Sequence, residues 1–93
     1  MKLVSITRSD REGKKWKAVF EDPKKTTHFG DSSAQDYTQH HDKERRRLYR
    51  QRHEKDLKTN DPSRAGYLSM AILWGDSTSM KKNIQAYKKK YNM

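Results

Sequence analysis

The densest run of side chains able to do chemistry is Lys43-Glu44-Arg45-Arg46-Arg47-Leu48-Tyr49-Arg50-Gln51-Arg52-His53, six cations against one acid. On a helix, Lys43, Arg46, Arg47 and Arg50 fall on one face at steps of 3, 1 and 3, with Arg52 beyond them. Duplex DNA presents a negative charge about every 1.7 Å of its axis, so such a face meets several phosphates at once. Arginine suits the task because its planar fork donates two parallel hydrogen bonds to one phosphate. The plainer reading is a solvated helix face, with Asp42–Arg46 and Glu54–Lys58 as i,i+4 pairs worth about 0.2–0.5 kcal/mol each. The run coincides with a net charge of +10 and a second basic segment, which favours phosphate.

That second segment is Lys88-Lys89-Lys90 between Tyr87 and Tyr91. Tyrosine interleaved with lysine can stack on bases. Tyr87 and Tyr91 also continue a Met80–Ile84 stripe, so the spacing assigns the rings to the core and leaves the lysines as a surface. A third basic patch is the wet side of a strand, Lys15 and Lys17, with Lys24 and Lys25 in the following turn. A three-stranded sheet of this kind can enter a DNA groove.

The other chemistries find little support. His40, His41 and Asp42 are consecutive, and neighbours on a helix point about 100° apart, so they do not share one metal ion. Asp36 and His40 are spaced i,i+4 as a two-ligand edge with no third ligand, and Asp36 reads more simply as a helix N-terminal charge. His40 and His53 read as hydrogen-bonded packing residues. Gly30 stands alone, with no glycine-rich loop leading to Lys-Ser/Thr. No Ser-His-Asp arrangement is recognisable, and cysteine is absent. The reading is a non-enzymatic protein without metal, cofactor or small-molecule substrate.

These residues need a frame to hold them. Leu, Ile, Val and Phe number only twelve of 93 residues, a disorder-like share, yet five Tyr, two Trp and four Met add large apolar bodies at regular spacings. Leu3–Thr7, Lys15–Glu21 and Lys25–Phe29 read as strands; Trp16, Ala18 and Phe20 share one face of the second. Gly13, Asp22-Pro23 and Gly30 punctuate them. From Gly30 to Pro62 there is no Gly or Pro. Ser33, with Asp36 three residues on, resembles a capping box. A helix over 33–57 would be about 37 Å long, with Ala34, Tyr37, His41 and Leu48 as its apolar stripe. Asp61-Pro62 starts another helix. Ala65–Trp74 is apolar on several sides, Gly75 is its C-cap, and Ser77 or Ser79 caps a last helix. Trp74 is expected in the core, against the Trp16-Ala18-Phe20 face or the Met80–Ile84 stripe. The fold class is α+β: a three-stranded antiparallel meander, a long helix and two shorter helices. One domain spans 1–93, divided into a 1–30 meander, a 33–58 basic helix and a 62–92 two-helix part. No stretch approaches the length of a membrane span, and the N-terminal residues lack the apolar core of a secretion signal.

His28-Phe29-Gly30, Asp36-Tyr37-Thr38, His40, Asp42, Glu44-Arg45, Tyr49, Arg52-His53, Asn60-Asp61, Ala65-Gly66 and Leu73-Trp74 form a string. Over about residues 25–91 it resembles a family of small basic proteins of unknown function encoded by giant DNA viruses of algae and amoebae. The resemblance implies a viral origin, with the protein in the virion or at the cytoplasmic or nuclear site of assembly. Two expectations follow. The first is a protein that binds a polyanion, nucleic acid without strong sequence preference and DNA before RNA, through Lys43, Arg46, Arg47, Arg50 and Arg52, with Lys88, Lys89, Lys90, Lys15 and Lys17. The second is a minor capsid component whose basic face meets acidic capsid proteins or the inner membrane.

Overall fold

Strict alternation makes the central strand, and its neighbours follow from two short connections. In the structure, a computed structural model describing residues 1–93, β1 (Lys2–Arg8), β2 (Lys14–Glu21) and β3 (Lys25–Asp31) form an antiparallel sheet in the order β1-β2-β3. Ile6 stands opposite Ala18, Trp16 opposite Phe29, and Leu3 opposite Phe20. Opposed residues share a face, so this register gathers one apolar side; Ala18, Phe20 and Phe29 are fully buried. A one-residue slip would turn all of them to water. The helices follow, and the α+β class read from the sequence is the one observed.

The segment read as one helix over 33–58 is three: α1 (Tyr37–His40), α2 (Lys43–Arg52) and α3 (Glu54–Leu57). His41 adopts the left-handed conformation at φ 57°, which ends α1. Asp42 then caps α2, its Oδ1 accepting from the N–H groups of Glu44 (3.0 Å) and Arg45 (3.2 Å). The capping box lies at Asp36, not Ser33: Asp36 accepts from Thr38 N–H, and Gln39 Oε1 accepts from Asp36 N–H. Ser33 instead donates to Asp31 in a turn. The expected stripe dissolves with the helix. Tyr37 is buried, while Ala34, His41 and Leu48 are exposed.

α4 (Ala65–Leu68) runs straight into a π-helical turn, Ser69–Leu73, and then α5 (Met80–Lys90) closes the fold. Asp61 shapes the turn before α4 by accepting from Ser63 N–H at 3.0 Å, and the helix begins only after Arg64. The 65–74 run is the buried centre; Leu68, Met70, Ile72 and Leu73 have almost no exposed surface. Gly75 keeps an ordinary φ and is not a left-handed cap. A Cβ there would lie 2.3 Å from the Ala71 carbonyl oxygen, so glycine serves close approach. Ser79 caps α5 by accepting from Lys82 N–H. Met80, Ile84, Tyr87 and Tyr91 pack on the core, as their spacing requires. No helix is long and apolar enough to cross a membrane.

Candidate nucleic-acid interface

A helix leaves its last carbonyls without partners, and their negative end favours cations. The 65–74 segment meets this need from outside. Arg50 donates through Nη1 to the carbonyls of Met70 (3.1 Å) and Trp74 (2.8 Å). Arg46 donates through Nε to Gly75 O at 2.8 Å, pairs with Asp76 at 2.9 Å and lies 5.6 Å over the Tyr37 ring. Asn83, buried, donates to Ile72 O at 2.8 Å. Burial, then the neighbouring Arg46 charge, pulls the Arg50 guanidinium below its usual range, although arginine stays charged. Two of the arginines expected to meet phosphate are therefore α2's attachment to the fold.

The remaining cations of α2 sort by face. Arg47 is engaged by Glu44 one turn back, which holds the Glu44 carboxyl below its usual range. The Asp42–Arg46 pair expected from spacing does not form, because Asp42 is the cap; Glu54–Lys58 does, at 3.3 Å. The side chains of Lys43, Arg45 and Arg52 make no hydrogen bond or ion pair within the protein. Arg45 and Arg52, seven residues apart, line a cleft of about 500 Å³ with Leu48, Tyr49 and His53 of the same flank. Its other wall is the segment from Gly30 to Asp36, and its floor includes Ser69, Leu73 and Trp74.

The floor carries a pile of rings. Trp74 and Tyr49 are parallel within 5° at 4.0 Å, and His53 stacks on Tyr49 at 4.2 Å. His40 leans on Trp74 at 5.2 Å. Trp74 is thus a core residue as expected, but its close ring partners come from α1 and α2, not from the Trp16-Ala18-Phe20 face or Met80–Ile84. His40 Nδ1 accepts from Asp42 N–H at 2.9 Å, which fixes the neutral tautomer with its proton on Nε2; that atom is buried without a partner. Burial, then the Arg45 charge, holds His40 below the ordinary imidazole range. The other histidines have separate contacts, and no three His, Asp or Glu side chains converge as a metal site.

The sheet cations part company. Lys15 is not on a wet face: its Nζ crosses to Asp36 Oδ2 at 2.8 Å and Gln39 Oε1 at 2.6 Å, both ends of the ion pair being nearly buried. Lys17 is half-buried opposite Thr7 and His28. Lys25 donates to Ser63. On α5, Lys81, Lys82 and Lys89 are exposed and Lys88 is half-buried, all without ion pairs, while Lys90 lies over Tyr91 and reaches the Tyr67 hydroxyl at 3.3 Å.

Residues 4–53 match a family of proteins of unknown function (DUF5754). The chain belongs to that family. The DUF5754 segment begins before the residues of the viral resemblance and takes in the sheet, α1 and α2, so it holds Lys15 and both walls of the cleft; the Trp74 floor lies beyond it. No curated protein and no solved structure matches the chain. The DUF5754 segment also holds two residues that the sequence reading passed over as phosphate ligands or ring platforms, Arg45 and Tyr49. Their signal was present as the i,i+4,i+7 spacing of 45, 49 and 52, which separates them from the 46–50 face.

Proposed function

We propose that this protein binds nucleic acid as a polyanion, without strong sequence preference and without catalysing a reaction, DNA being favoured over RNA. The observation that supports it most is the sorting of cations. After the fold has engaged Lys15, Arg46, Arg47 and Arg50, the chain still holds Arg45 and Arg52 on the cleft, Lys43 at the start of α2, and Lys81, Lys82, Lys88 and Lys89 on α5. Charges of one sign in this number, free of internal partners, supply affinity through phosphate contacts and counterion release. The resemblance to viral proteins supports a viral genome as the polyanion. The test is retardation of a 30-base-pair duplex across a salt series. About six phosphate contacts give a log–log slope near −5 on B-form DNA. No retardation at low salt would overturn the proposal and leave the minor-capsid reading.

A further inference from the structure

The cleft has more chemistry than phosphate contact requires. A row of free cations would hold a duplex on an open surface, yet here two unpaired guanidiniums flank a cavity of about 500 Å³, within the volume range of small-ligand sites. Arg45 and Arg52 stand about 10 Å apart along α2, at 1.5 Å per residue. Tyr49 lies between them along α2, and the Trp74–Tyr49–His53 pile ends next to Arg52, at an imidazole whose side chain is 43% exposed. His53 touches Asp56 through Nδ1 at 3.4 Å. Such a contact is made at the ring's edge, not on its face.

We infer that the cleft takes one unpaired nucleotide, its base extending the pile on His53 and its phosphate held by Arg45 and Arg52. This rests on the nucleic-acid reading above and narrows it. Stacking suits any base because every base has a π-face, and guanidinium forks suit the phosphate. A paired base is closed on its edge and held in the duplex stack, so it does not reach His53. The two carboxylates lining the cavity do not forbid an anion. Asp36 is neutralised by Lys15, and Asp31, a carboxylate hydrogen-bonded by Ser33, is exposed to screening by water and salt. Two sources share this chemistry, a free nucleotide and an unpaired position in a strand.

The test follows the His53 ring protons by NMR while the intact chain is titrated with a mixed-sequence ten-nucleotide DNA strand, with the duplex it forms with its complement, and with AMP. The expected result is an upfield shift of the His53 signals with the strand and a much smaller one with the duplex. A shift with AMP as well means that the nucleotide alone suffices; a shift with the strand only assigns the site to chain. His53→Ala is expected to lower strand affinity about tenfold, the range of one base–aromatic stack, and so to narrow the gap between strand and duplex. Binding of both nucleic acids with His53 unmoved would overturn this inference and leave the broader proposal standing. Binding of neither would overturn both. Because the titration uses the native chain, it decides the matter even where His53→Ala fails to fold.

Discussion

The two basic helices use their charges in opposite ways. α5 has an apolar stripe, buries Tyr87 and Asn83, and docks on the core through it; of its five lysines only Lys90 touches the fold through its ammonium, and none forms an ion pair. α2 buries no residue. Its attachments are the Tyr49 ring on Trp74 and two guanidiniums, Arg46 and Arg50, on the carbonyl end of the 65–74 segment. A helix without an apolar stripe docks through its cations, and a helix with one keeps most of them free. The density of charge in a run therefore does not measure how much of it can meet a partner. α2, the denser run, is the more internally engaged.

The contrast breaks most severely at Trp74, the surface on which α2 sits. Trp74→Ala removes the ring under Tyr49 and His40 from a chain that has only eighteen buried residues. The loss is about 3–5 kcal/mol, close to the whole stability of so small a domain. The variant is expected to be largely unfolded by circular dichroism at room temperature. A folded variant would show that α2 is held by its arginines alone.

Next in size is Lys15, the cation that the sheet turns inward. Lys15→Met leaves the buried Asp36 carboxylate without its counter-charge, and losing one member of a buried pair costs about 3 kcal/mol. Urea denaturation should show that loss, whereas Lys17→Met, outside any ion pair, should change stability by less than about 0.5 kcal/mol. Equal effects would mean that the Lys15–Asp36 contact is no more than surface pairing.

A smaller effect is expected from pH. With the folded-state value of His40 held below 6.5, chiefly by burial, the unfolded chain takes up this proton first as pH falls. Stability attached to His40 is therefore complete above 6.5 and declines between 6.5 and the lower folded-state value. His40→Phe keeps a ring against Trp74 and removes the proton, so its stability should be flatter across that window in urea titrations at successive pH values. Asp31, Glu44 and Asp61, held below their usual carboxylate range by hydrogen bonds, lose their contribution only at more acid pH.

Much of this frame could be read from residue order. The period-two run Trp16-Ala18-Phe20 announced the covered face of β2, and the Met80–Ile84–Tyr87–Tyr91 steps announced α5, because both patterns are local consequences of backbone geometry. The breaks in the 33–58 segment were harder. Asp36 and Asp42 are both good caps six residues apart, but a left-handed His41 between them is a rare state that sequence spacing does not reveal. The roles of Arg46 and Arg50 were not local at all, since their carbonyl partners lie 20 to 29 residues further on. The cleft was hidden for the same reason: its lining comes from β2, the 30–36 segment, α2 and the π-helical turn with Trp74.

The central claim, that the faces of α2 divide into attachment and contact, is tested most directly by two double variants of one helix. Arg45→Gln with Arg52→Gln and Arg46→Gln with Arg50→Gln remove equal charge and keep similar helix propensity. Thermal melts and the salt dependence of binding to one duplex are measured for both. The Arg45/Arg52 variant should keep its stability within about 0.5 kcal/mol and lose close to 2 from the magnitude of the log–log salt slope, at about 0.9 per phosphate contact. The Arg46/Arg50 variant should lose about 2–3 kcal/mol of stability through its abandoned carbonyls and keep the parent slope wherever it is folded. The reverse pattern, a stable Arg46/Arg50 variant with a shallower slope and an Arg45/Arg52 variant that binds like the parent, would contradict the division.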